Sequence, residues 1–207
     1  MMKLTPLLAI AAFALAGSAT THAALISATS ATTNMGSGFG TSLDTTINGV
    51  GLSLQSLTAT HAATIPTNSW VSAGTLTGNI TFTLGGLFTL DGFSFWNQNN
   101  GGPGALGSTG IRNVFITYST DNVNFSPLPD APTVFAQATG NTSLAQMFAT
   151  EPVPARFVRF AVQSNYGDTA ESGFAEVKFS GVPTVPEPGT VLFGVALCGV
   201  AALRRRK

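Results

Sequence analysis

Two short stretches of this 207-residue chain hold side chains suited to gripping a polyhydroxylated ligand. Trp96 is followed by Asn97, Gln98, Asn99 and Asn100, and farther along Asn165, Tyr166, Gly167 and Asp168 stand together. An aromatic face stacks on the apolar side of a sugar ring, while amides and a carboxylate exchange hydrogen bonds with its hydroxyls. The candidate ligand contacts are therefore Trp96, Asn97, Asn99, Asn100, Asn165, Tyr166 and Asp168. A tryptophan ending an apolar strand is also a common core residue, so Trp96 carries both readings.

Acid–base and covalent chemistry have less to build on. His61 is the only histidine after residue 23, and neither a Gly-x-Ser-x-Gly elbow nor a His-Glu-x-x-His pair accompanies it, so its expected role is structural. Glycoside hydrolysis needs two facing carboxylates about 5 to 10 Å apart. Asp168, Glu171 and Glu176 are near one another in sequence, but nothing in their spacing pairs them, which favours a solvated loop and strand. Gly36, Gly38 and Gly40, and the run Gly101-Gly102-Pro103-Gly104, precede no helix carrying a lysine, so neither reads as a phosphate cradle. The second run prolongs the connection from Asn97 to Gly110 into a candidate functional loop.

The elements that must hold these groups are strands. Ile80-Thr81-Phe82-Thr83-Leu84 alternates, with Ile80, Phe82 and Leu84 on one face, and Gly85-Gly86 marks a break. Phe88 to Trp96 gives a second apolar segment in which Phe93 and Phe95 share a face. Val114, Ile116 and Tyr118 repeat the pattern, as do Val158, Phe160 and Val162 around an outward Arg159, and Ala175, Val177 and Phe179 around Glu176 and Lys178. Asp121-Asn122 is a tight-turn candidate because Asn tolerates positive φ. One brief helical piece is possible, from Thr142 to Thr150. Short strands between Gly, Pro and Asn clusters predict an all-β sandwich.

Charge is distributed unevenly. Nine Lys and Arg balance nine Asp and Glu, yet Lys3, Arg204, Arg205, Arg206 and Lys207 all lie at the ends. Between Ala24 and Val185 four positive residues face eight negative ones, a net charge of −4, which argues against a nucleic-acid partner. The single cysteine, Cys198, excludes an internal disulfide and any multi-cysteine metal site. Lys3 followed by the apolar run Leu7 to Ala16 and small residues through Ala23 reads as a signal peptide, cut by signal peptidase after Ala23. Thirteen apolar residues from Val191 to Leu203 reach only about 20 Å, a weak transmembrane stop whose basic end stays cytoplasmic.

Pro186-Glu187-Pro188, the short apolar run and the basic end with Arg204, Arg205 and Arg206 resemble a PEP-CTERM sorting signal. That resemblance implies processing by an exosortase in the inner membrane of a Gram-negative bacterium and transfer to the cell surface or extracellular matrix, often alongside exopolysaccharide. The tail is then a removable anchor, with only transient residence in the inner membrane.

Between the termini, the chain resembles a discoidin-type, coagulation-factor type-C (galactose-binding-like) jelly roll. The resemblance rests on the order of Ile47-Asn48-Gly49, Asn68-Ser69-Trp70, the block Ile80 to Trp96, the strand and turn Tyr118 to Phe125, Ala155 to Phe160, and Gly173 to Phe179. It implies a ligand site on the loops at one end of the sandwich. It also implies a structural calcium near the early turn, with Asn48 and Glu176 as its contacts. Asn48 stands where an aspartate is commoner, which weakens such a site.

The expected organisation is a signal peptide at 1–23, a discoidin-like β-sandwich at 24–181, a linker at 182–185 and the sorting signal at 186–207. The expected product is an exported, non-enzymatic surface or matrix protein binding carbohydrate. An exported polysaccharide hydrolase and a self-assembling structural module are the alternatives.

Overall fold

The computed structural model describes residues 24–99 and 106–184. The expected signal peptide, Asn100, the apolar run at 191–203, and the sorting residues Pro186, Glu187, Pro188, Arg204, Arg205 and Arg206 lie outside the described residues. Among the described residues no helix is long and apolar enough to cross a membrane.

The protein is all-β. Its strands are β1 (Ala24–Ile26), β2 (Ser30–Thr33), β3 (Thr60–His61), β4 (Trp70–Val71), β5 (Gly78–Asn97), β6 (Val114–Ser119), β7 (Ser126–Pro127), β8 (Ser143–Leu144), β9 (Gln146–Val162) and β10 (Gly173–Pro183), with one 3-10 turn, η1, at Leu43–Thr46. The main sheet runs β1-β10-β5-β9-β6-β7, with β2 added to β5 and β4 to β10, while β3 and β8 pair separately. Its named strand pairs are antiparallel.

The long strand β5 shapes the sandwich. Its first part pairs with β2 and the end of β9, and its second part pairs with β10 and the start of β9. Between them, residues 84–87 of β5 face only Arg156 of β9, since Thr83 pairs with Phe157 and Phe88 with Ala155. The expected break at Gly85-Gly86 is therefore a bulge within one strand. Gly85 has a φ of 78°, a conformation that a side chain disfavours, and a Cβ there would strike Thr29.

The alternation read from sequence lines the core. Ile80, Phe82, Leu84, Phe93, Phe95, Val158, Phe160, Val162, Val177 and Phe179 are all buried. Phe82 meets Phe160, Phe174 and Phe179 edge-on at centroid distances of 5.1, 6.1 and 5.6 Å, and Phe95 stacks between Phe135 and Phe174. Such ring pairs are worth roughly 0.5–1.5 kcal/mol each beyond simple burial. In a domain whose described segment has no cysteine, this packing carries the stability.

The other face of the paired strands β5 and β10 is covered as well, by the segment leading from η1 to β3. Ser94 Oγ donates to Leu57 O, Trp96 Nε1 to Ala59 O, and Lys178 Nζ to Ile47 O, while Gly49 N donates to Glu176. Four side chains from two neighbouring strands thus hold one irregular segment in place.

Two expectations change. The stretch from Thr142 to Thr150 is not helical: β8 and the start of β9 occupy most of it, because Gln146, Met147 and Phe148 find ladder partners in Phe95, Ser94 and Phe93. The sheet also runs past residue 181, with β10 reaching Pro183 and Thr184 N donating to Leu87 O. Asn122 behaves as read, turning the chain with a φ of 62°.

Candidate functional site

Most of the residues expected to touch a ligand are engaged inside the protein. Trp96 is fully buried against Ala59 and Ala175, and its indole N–H is donated to Ala59 O at 2.7 Å. A stacking platform needs a ring face in solvent, so Trp96 does not serve as one in this geometry. Asn97 is also fully buried, with Nδ2 donating to Ile111 O and Ala136 O and Oδ1 accepting from Gln98 N. Asn99 Oδ1 accepts from both the amide and the hydroxyl of Thr64.

The second stretch forms a self-bonded loop. Asn165 Nδ2 donates to Asp168 O and Glu171 O, and its Oδ1 accepts from Gly167 N. Asp168 Oδ1 accepts from the amides of Ala170 and Glu171. Tyr166 donates its hydroxyl to Phe135 O, and the Arg112 guanidinium lies over its ring at 5.7 Å. These groups build the loop, and their hydrogen-bonding capacity is largely spent in doing so.

What the two stretches bring together is a cleft at one end of the sandwich. It has a volume of about 150 Å³ and is lined by Phe39, Thr41, Thr64, Ile65, Pro66, Ser69, Val71, Gln98, Thr109 and Glu171. Asn99 shapes its floor by fixing Thr64, and the Asn165 loop delivers Glu171. Burial and the neighbouring Asp168 charge hold the Glu171 carboxyl above the ordinary glutamate range.

Phe39 is the residue that the sequence reading passed over. Its relative exposure is 70%, and it adopts a φ of 49°, unusual for any residue with a bulky side chain. The turn carrying it is fixed from behind: Trp70 Nε1 donates to Gly36 O and Ser37 Oγ, Gly38 N donates to Val71 O, and Thr41 Oγ1 donates to Gly38 O. The available signal was the pattern Gly36-Ser37-Gly38-Phe39-Gly40, an aromatic in a glycine-rich turn outside any alternating pattern. Gln98 adds a second unusual feature. Although nearly buried, its Oε1 has no hydrogen-bond partner among the described residues.

The implied calcium site has a different arrangement. Asn48 is exposed and its Oδ1 accepts from Val50 N, so its side chain serves the local turn. Glu176 is fully buried and accepts from Gly49 N at 3.1 to 3.2 Å, but its other partner is the ammonium of Lys178, 3.1 Å from Oε1. Lys178 Nζ also donates to Ile47 O at 2.6 Å and Ser27 Oγ at 3.2 Å. Burial pushes the Glu176 carboxyl up to about 7, against the pull of Lys178 and the Gly49 amide. Among the described residues no three His, Cys, Asp or Glu side chains gather to hold a metal. With the Lys178 ammonium already on Glu176 and Ile47 O and the Asn48 amide oxygen on Val50 N, the residues present do not fit a calcium ion. Lys178 and Glu176, expected to face solvent, are turned inward because the 47–59 segment covers them.

His61 is buried, as a structural histidine should be. Its Nδ1 lies 2.8 Å from Ala62 O and its Nε2 3.1 Å from Val50 O, and burial lowers its pKa from 6.5.

Among curated proteins, none matches the chain. Solved structures of similar shape include truncated AlyQ with CBM32 and alginate lyase domains, at 16% identity and a TM-score of 0.52, covering 79% of this chain and 34% of that one. This chain thus spans about a third of that protein. A GH31 CBM32-2 bound to GalNAc aligns at 14% identity and a TM-score of 0.51, covering 77% of this chain and 98% of that one. A fragment of a Bacteroides thetaiotaomicron protein aligns at 17% identity and a TM-score of 0.51, covering 78% and 91%. At these identities the likeness establishes the fold. Residues 46–177 match the family model for the F5/8 type C domain, which covers well over half the sequence, and the chain belongs to that family.

Proposed function

We propose that the protein is a non-enzymatic carbohydrate-binding module and that the cleft beside Phe39 is its binding site. The observation that carries this reading is the pairing of an exposed aromatic in a left-handed turn with a Gln98 amide oxygen that has no partner among the described residues. Backbone strain and an unmet hydrogen-bond acceptor are costs that a site bears for its ligand. Phe39 supplies a stacking face, and Gln98, whose amide oxygen is buried in this structure, accepts from a hydroxyl once its side chain turns into the cleft. The structural resemblance to a GalNAc-bound module supports the same reading.

The lining also indicates which sugars fit. None of the lining residues is cationic, and Glu171 is the one carboxylate among them. A neutral saccharide suits such a site, whereas a uronate would meet a carboxylate with no compensating positive charge. Titration of the full chain with neutral and uronic-acid oligosaccharides tests this. The expected result is binding to neutral sugars only, with Phe39→Ala weakening it about tenfold, consistent with loss of a stacking contact. Failure of the wild-type protein to bind any saccharide would overturn the reading.

The cellular setting proposed is export, with the Pro186-Glu187-Pro188 tail read by an exosortase and the domain delivered to exopolysaccharide at the cell surface or in the matrix. Mass spectrometry of the surface-associated protein checks it. The expected mature form starts near Ala24 and lacks the basic end, and an intact Arg204-Arg205-Arg206-Lys207 terminus would refute processing.

A further inference from the structure

We propose that the ammonium of Lys178 occupies the place of a structural cation, so that the chain closes this site with its own charge and the domain folds without calcium. A lysine ammonium has three N–H donors and no acceptor. Here it meets three oxygens, Glu176 Oε1 at 3.1 Å, Ile47 O at 2.6 Å and Ser27 Oγ at 3.2 Å. Its donors are matched one to one. Both charged side chains are fully buried, and the Glu176 carboxylate is further satisfied by the Gly49 amide.

The oxygens come from three separate parts of the chain: the link between β1 and β2, the end of η1, and the last strand. A metal ion at this point would join the same parts. A metal-dependent domain, however, is stabilised only to the extent that free ion exceeds the dissociation constant. A tethered ammonium is present at any ion concentration.

The charge balance favours the lysine. One carboxylate with one ammonium is neutral, whereas a divalent ion would have a single carboxylate and would lie against Lys178 itself. Calcium prefers six to eight oxygens, usually with several carboxylates. The inference is independent of the carbohydrate reading, since none of these residues lines the cleft.

The test uses the full chain above neutral pH, where Glu176 is ionised. Melting temperature is measured in a calcium chelator and in millimolar calcium, alongside calorimetric titration with calcium. The expected result is the same melting temperature in both and no heat of binding; a rise of several degrees with calcium would overturn the inference. Lys178→Met retains the length of the stem but strands the carboxylate, and should melt about 10 °C lower. The double variant Lys178→Met with Glu176→Gln removes both charges and should regain at least half of that loss. A single variant that melts like the wild type, or a double variant no better than the single, would remove the ammonium from its assigned role. If Lys178→Met does not fold, the calcium response of the wild type decides.

Discussion

The cradle around Lys178 and the cleft beside Phe39 both depend on the segment from Gly36 to Ile65, yet they are built in opposite ways. In the cradle both charged groups are partnered and fully buried, with Ser27 at its exposed edge, and the residues come from parts of the chain far apart in sequence. In the cleft a large aromatic lies in solvent on a left-handed backbone, and an amide oxygen lacks a partner among the described residues. The first arrangement gives up versatility for stability, and the second keeps stability in reserve for a ligand. A polar residue is thus better assigned by what remains unsatisfied around it than by its type.

Breaking the cradle should have the larger effect. Glu176→Ala leaves a buried ammonium without its counter-charge and should cost about 3–5 kcal/mol, read as a fall in the urea midpoint, while saccharide affinity of the folded protein is unchanged. A matching loss of affinity would mean that the two regions are not separable. Phe39→Gly should do the reverse. Glycine accepts the left-handed turn, so stability should rise by about 1 kcal/mol while binding weakens at least tenfold. An unchanged or lower urea midpoint would remove the claim that this backbone is strained.

The smallest effect concerns acid. The lowered pKa of His61 means that the folded state binds fewer protons, so its contribution is present above 6.5 and is lost as pH falls through the folded value. Glu176 acts oppositely: raised from 4.5 to about 7, it contributes most below 4.5 and loses that contribution as pH rises to about 7. Comparing melting temperatures of wild type and His61→Gln between these limits isolates the histidine. The variant should show a flatter fall towards acid, and parallel curves would exclude His61 as a source of acid sensitivity.

The strands were legible where one face met the core. Period two in Ile80, Phe82 and Leu84, and again in Val158, Phe160 and Val162, marked residues that are buried. The sequence did not reveal that the opposite face of β5 and β10 is also covered. Trp96 suggested a platform and Glu176 with Lys178 suggested a solvent face, because alternation assigns residues to sides without saying what lies above them. Only the return of the 47–59 segment across the sheet makes that side an interior. Phe39 was hidden for a related reason: a single aromatic among glycines has no period, and its exposure follows from the anchoring of its turn by Trp70, over thirty residues away. Asn99 and the Asn165 stretch lie close to the proposed cleft, as its framework.

The pairing of β1 with β10 has a consequence for orientation. Ala24 lies beside Gly181, whereas the start of β10 at Gly173 lies beside Val71, which lines the cleft. The 11 residues of β10 set its two ends roughly 30 Å apart. The chain therefore enters and leaves the domain at its base, with Phe39 at the far tip. Under the surface attachment proposed above, the attaching surface would lie beneath the domain and the tip would reach outward into the surrounding medium.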